Sequence, residues 1–122
     1  MNQFLTVFLN TKSGDSICPS ICDLLKKSDS IKKLNIETNY FTIGSLLNIL
    51  DTIQTSCPSL RELRVDNQVQ NIGIHGEAKI AAALIKCQMI TKFGMTFKSA
   101  TSRNSVNQKL TENTWNIRKS KL

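Results

Sequence analysis

The chain has 122 residues, 40% of them hydrophobic, with 5 Gly and 2 Pro, which is material for one domain with a core and not for a disordered linker. Its net charge of +7 is polarised: residues 1–85 balance eight Lys and Arg against eight Asp and Glu, whereas residues 86–122 hold eight basic groups and Glu112 as their one acid. One Trp, one Tyr and five Phe are too few for the stacking platforms of single-stranded nucleic-acid binders, no apolar run approaches the roughly 20 residues that span a bilayer, and the first 15 residues lack the basic start of a secretory signal.

The predicted elements alternate strand and helix. Leu5, Val7 and Asn10 mark a first short strand centred on residues 5–7. A helix follows over about Pro19–Lys27, with Pro19 in the first turn, where its missing N–H is tolerated, and with Cys18, Cys22 and Leu25 on one side. In Ile31–Asn39, IKKLNIETN, Leu34 and Ile36 alternate toward one face, as in a strand buried on that side. Ile43–Ser56 carries Leu46, Leu47, Leu50 and Ile53, a helical stripe. Leu60, Leu63, Val65 and Gln68 then restate the places of Ile31, Leu34, Ile36 and Asn39, giving a strand over 63–65. Gly76–Lys86 is a helix with Ile80, Ala83 and Leu84 inward. Ile90, Phe93, Met95 and Lys98 bring the pattern round again, with a strand over 93–97, and the chain closes on a helix over about Arg103–Lys119.

The four registers are spaced 29, 29 and 30 residues apart on an L-x-x-L-x-L-x-x-N pattern, the period of a long leucine-rich repeat. Parallel strands need a crossover between them. The expected fold is therefore α/β: a right-handed leucine-rich-repeat solenoid with a short parallel sheet, helices on the convex side and a C-terminal capping helix. The expected organisation is about four repeats over residues 1–100, the first incomplete, and a basic C-terminal helix or tail over residues 101–122. Asn39 stands where a side chain can satisfy backbone groups in the bend after the strand. Gln68, or Asn67 with a one-residue shift, can do the same in the next repeat.

No two of the four cysteines form a C-x-x-C pair, and His75 lies 12 residues from the nearest of them, so neither a zinc site nor a cofactor site is expected. Cys57 and Cys87 share one repeat position, and Cys18 and Cys22 share one helix face. All four read as packing residues and free thiols. Nothing places a nucleophile beside a base, so the chain is not expected to be an enzyme.

Three segments carry a more specific signal: Leu34–Asn39 (LNIETN), Arg64–Gln68 (RVDNQ) followed by Ile72–Gly73, and Lys92–Phe97 (KFGMTF). With the helix ending in Ile117, Arg118 and Lys119, they resemble the C-terminal leucine-rich-repeat domain of the tropomodulin family, to which the leiomodins are related. The resemblance covers essentially the whole chain. It implies a cytoplasmic, cytoskeletal protein that caps the slow-growing, pointed end of actin filaments, with actin as its partner. It further implies that the family's tropomyosin-binding segments, which lie in the N-terminal half, have no counterpart here, so tropomyosin is not expected to bind this chain. A leiomodin-type actin nucleator and a generic repeat adaptor remain as alternatives.

Candidate contact residues follow from the C-terminal helix. At 100° per residue, Val106, Leu110, Asn113 and Ile117 share one sector, which makes Val106, Leu110 and Ile117 the docking stripe. Trp115 falls on the opposite side, where it is either an interface anchor or folded back onto the helix end. Trp115, Arg118 and Lys119, with Lys98 and Arg103, are the candidate actin-binding residues. The concave face would show Lys33, Asn35 and Glu37, then Glu62, Arg64 and Asp66, then Lys92, Gly94 and Thr96. That face is mixed in charge and lacks aromatic anchors.

Overall fold

Leu5, Leu34, Leu63 and Phe93 stand in register on four parallel strands, so the 29, 29 and 30 residue spacing read from the sequence is the register of the sheet. The computed structural model describes residues 4–6, 14–28, 30–37, 40–66, 68 and 72–121. Val7, Asn10, Asn39 and Asn67, to which the repeat pattern gave places, lie outside the described residues. The elements run β1 (Phe4–Thr6), α1 (Gly14–Lys27), β2 (Lys33–Asn35), α2 (Ile43–Ser56), β3 (Glu62–Arg64), α3 (Gly73–Ile85), β4 (Lys92–Gly94) and α4 (Ala100–Ser120). The strands lie side by side in chain order, and each helix returns the chain to the start of the next strand. The result is the right-handed leucine-rich-repeat solenoid. No helix among the described residues is long and apolar enough to cross a membrane.

The core is the inner face of the strands packed on the helices. Leu34, Ile36, Leu60, Leu63, Val65 and Ile90 are buried. Each strand is only three residues long, and pairing continues one step beyond: the Ile36 N–H donates to the Arg64 carbonyl (2.9 Å) and the Val65 N–H to that of Gly94 (2.9 Å). The last strand was expected to reach residue 97 but stops at Gly94. Phe97 is buried beyond its end, its ring 6.1 Å from that of Phe93.

α2 has the predicted bounds, but its core residues are Leu46, Ile49, Leu50 and Ile53, spaced i, i+3, i+4 and i+7. Ile49 takes the inward place given to Leu47, which is only half-buried. Two similar shifts occur elsewhere: Ile21 is buried on α1 where Cys22 is half-exposed, and Ala81 is buried on α3 where Ala83 is half-buried. α1 also begins five residues earlier than expected, so Pro19 sits inside it and has no N–H to offer the carbonyl four residues back. α3 starts at Gly73, whose positive φ of 70° is open to glycine at no steric cost. α3 also brings Gly76 against α2: a Cβ there would come within 2.6 Å of Ile43 Cδ1 and 2.5 Å of Ile72 Cγ2.

Polar side chains tie each turn to the next. Gln68 does the work expected of it across a repeat boundary: its Nε2 donates to the carbonyls of Ile36 (2.9 Å) and Val65 (3.1 Å), and its Oε1 accepts the Phe41 N–H (2.8 Å). Asp15, in the first turn of α1, buttresses the N-terminus of α2. One carboxylate oxygen accepts the Thr42 N–H (2.9 Å), the Thr42 hydroxyl (3.1 Å) and the Ser45 hydroxyl (2.7 Å), while Thr42 itself caps the helix. The Thr42 N–H, then the Ser45 hydroxyl, hold the Asp15 carboxyl below the usual carboxylate range. A carboxylate depressed on folding contributes stability above its unfolded value of about 3.9, and this is lost as pH falls through the folded value. Urea midpoints measured from about pH 5 down to about pH 2 should therefore fall less steeply in Asp15→Asn than in the parent. Equal slopes would show that the carboxylate adds nothing to stability.

The cysteines are packing residues of unequal depth. Cys18, Cys57 and Cys87 are buried and Cys22 is half-exposed, all as free thiols. Burial pushes the Cys87 thiol up to about 11, which keeps it protonated and unreactive at neutral pH.

Candidate functional site

On the concave face, cross-strand pairs absorb most of the charge that the sequence places there. Lys33 Nζ lies 3.9 Å from Glu62 Oε1, and Arg64 Nε donates to Glu37 Oε1 at 3.1 Å. The Thr96 hydroxyl donates to Asp66 Oδ2 at 2.8 Å. Gly94 leaves a hollow beside Arg64, lined by Glu62, Lys92 and Phe93. A partner would have to compete with the pairs already formed, and no exposed aromatic is offered in return.

α4 is different in kind. It starts at a junction fixed by Glu77, a carboxylate on α3 that is only 4% exposed and accepts the N–H groups of Lys98 (3.1 Å) and Ser99 (2.9 Å). Ser99 then caps the helix through its hydroxyl. The helix therefore begins at Ala100, three residues before the expected start, and runs to Ser120. Val106 is buried and Leu110 packs against the core, as the docking stripe requires. Ile117 is only half-buried. The side chain that seals the lower part of the stripe is Asn113, 1% exposed, whose Nδ2 donates to the carbonyls of Cys87 and Ile90 at 2.8 Å each. One helical turn earlier, Lys109 Nζ donates to Gln88 Oε1 at 2.9 Å.

Trp115 is 61% exposed and points away from the solenoid, with Arg118 and Lys119 exposed beside it. With Thr91, Leu110, Thr111, Thr114 and Arg118 it lines a shallow hollow of about 260 Å³. Lys98 and Arg103 are also exposed, but they stand at the other end of the helix. At 1.5 Å per residue, Arg103 and Arg118 are about 22 Å apart along the axis. The structure thus divides the five candidates into two groups, Lys98 with Arg103 and Trp115 with Arg118 and Lys119.

Two residues that organise this region were not singled out from the sequence. Asn113 was placed in the docking sector without a role, and Glu77 read as one more acidic residue of the neutral body. Asn113 left a signal, a lone amide in an otherwise apolar stripe. Glu77 left none, because its partners are backbone groups 21 and 22 residues away.

The comparisons with known proteins agree with this architecture. The TMOD/LMOD leucine-rich domain matches residues 2–115. Human tropomodulin-4 is 36% identical over 103 residues, covering 84% of this chain and 30% of the relative. Human leiomodin-3 is 31% identical over 104 residues, covering 85% of this chain and 18% of the relative. Among solved structures, the leiomodin-1 actin-binding site 2 superposes with a TM-score of 0.86 at 29% identity, covering 96% of this chain and 67% of that one. The Caenorhabditis elegans tropomodulin C-terminal domain gives 0.81 at 27%, covering 97% and 69%. The chain spans less than a third of the tropomodulin-4 and leiomodin-3 sequences. Fold, repeat register and sequence relatives lead to one conclusion: the chain belongs to the tropomodulin/leiomodin leucine-rich domain family.

Proposed function

We propose that this chain is a non-enzymatic actin-binding module of the cytoplasmic actin cytoskeleton that caps filament pointed ends, with the lower part of α4 as its contact. The observation that carries the reading is Trp115: the one Trp of the chain is 61% exposed, beside Arg118 and Lys119, on a helix whose opposite face is docked. An exposed Trp flanked by cations has the composition of an interface hot spot. The basic excess of residues 86–122 favours approach to an acidic surface. Printed names of relatives support actin as that surface, since the leiomodin-1 structure is described as its actin-binding site 2. The proposal does not extend to tropomyosin, whose sites the family resemblance places in the N-terminal half.

Lys98 and Arg103 belong to the proposal as a second, weaker contact at the start of α4. The internally paired concave face speaks against the adaptor alternative. The high TM-score with leiomodin-1 keeps a nucleator as the second reading.

Elongation of fluorescent actin from seeds capped at their barbed ends separates these readings. A pointed-end cap slows elongation, and a nucleator shortens the lag of unseeded assembly. Trp115→Ala should weaken pointed-end binding by about 2 kcal/mol or more. Arg118→Glu/Lys119→Glu should fold normally, bind less tightly and lose most of its salt dependence. If both variants act like the parent at low and moderate salt, α4 is only the cap of the solenoid.

A further inference from the structure

The stripe by which α4 docks has an apolar residue at Val106 and Leu110 and a half-buried one at Ile117, and an amide at the position between them. Asn113 is as buried as Val106, each being 1% exposed. Its Nδ2 is committed to two carbonyls, those of Cys87 and Ile90, while its Oδ1 is buried without a partner. A buried acceptor without a partner is destabilising, so the amide is not the residue that packing alone would select. What it does provide is register. Its two acceptors belong to the turn between α3 and β4. A slip of one residue, a rotation of 100° and a shift of 1.5 Å, would break both bonds at once. Single buried amides hold coiled-coil helices in register in the same way.

The position of Asn113 along α4 gives this a consequence. It is the last buried residue of the helix, and from Thr114 onward every described residue is half-buried or exposed. α4 has 21 residues and its neighbour α3 has 13, so α4 is about 12 Å longer. Trp115, Arg118 and Lys119 all lie beyond the pin. We propose that Asn113 is a positioning residue that phases the last turns of α4 as a rigid arm, presenting Trp115, Arg118 and Lys119 on one fixed side of the solenoid. The inference rests on the actin-contact reading for its purpose, but the arm itself is measurable without actin.

Trp115 is the single Trp of the chain, so time-resolved fluorescence anisotropy reads the arm directly. In the parent its anisotropy should decay with the tumbling of the whole domain. In Asn113→Ala, at a temperature where circular dichroism shows a folded chain, a fast component should dominate. A residue that merely stabilised the fold would lower the melting temperature and leave the decay below it unchanged, and that outcome overturns the proposal. A second variant covers the case in which Asn113→Ala does not fold. One alanine inserted between Asn113 and Thr114 leaves the pin in place and turns the arm by 100°. It should melt like the parent, keep the slow decay and lose about tenfold or more in pointed-end affinity. Binding equal to the parent's would overturn the fixed orientation. A parent chain that does not bind actin sinks the partner reading alone, while the anisotropy still decides the arm.

Discussion

Truncating Leu34 or Leu63 to alanine is expected to lower stability by about 2–5 kcal/mol. Both side chains are fully buried, at 0% exposure, and they stand directly opposite one another in the register of β2 and β3. Each is in contact with the sheet on one side and the helix layer on the other, so the cavity left by truncation has little freedom to collapse. A domain of this size has about 5–15 kcal/mol in total, so either change removes a large part of it. Lys33→Ala, one residue away on the exposed side of β2, should cost less than about 0.5 kcal/mol. Urea unfolding followed by circular dichroism checks both. Equal midpoints for Leu63→Ala and Lys33→Ala would mean that the inward and outward faces of the strands are wrongly assigned.

Replacing Glu77 by alanine is the second large effect, expected at about 3 kcal/mol from two hydrogen bonds to a charged group. The carboxylate accepts the N–H groups of Lys98 and Ser99, and the alanine variant leaves both donors without their acceptor at the start of α4. The loss should be local before it is global. Hydrogen exchange at residues 98–102 should accelerate while that of α2 stays slow. Glu77→Gln keeps one acceptor oxygen and should lose about half as much. If Glu77→Ala melts at the parent's temperature with unchanged exchange at Ser99, the carboxylate does not fix the junction.

The solenoid was legible in the sequence because its determinants are periodic. Leu34, Leu63 and Phe93 recur at the same step along the chain, and a repeat register is a statement about spacing alone. Helix faces were less legible. Leu47 and Ile49 are both apolar, and which of them turns inward depends on how α2 is rotated against the sheet, which a stripe of four apolar residues leaves free within one position. The start of α1 was missed for a different reason. Pro19 reads as a helix opener, yet Gly14 and Asp15 already belong to the helix, because the bonds that Asp15 receives from Thr42 and Ser45 hold the first turn in place from another repeat. Trp115 could be placed opposite the docking stripe from the helical wheel. The role of Asn113 could not, since it depends on two carbonyls that come within reach only after the last turn has folded.

The ties described above also determine how the molecule would respond to a load. Asp15 reaches α2, Gln68 reaches back across the bend after β2, Glu77 reaches the start of α4, and Asn113 reaches the turn before β4. Each spans one step of the solenoid and joins adjacent turns. A chain fastened in this way has its links in series. Pulled from its ends, it would not shear as a block but would come apart like a zip, one turn at a time from whichever end yields first. At the C-terminal end the first fastening to give way is the Asn113 pin, so a tug on the arm would be felt by the bond that orients it before it reached the sheet.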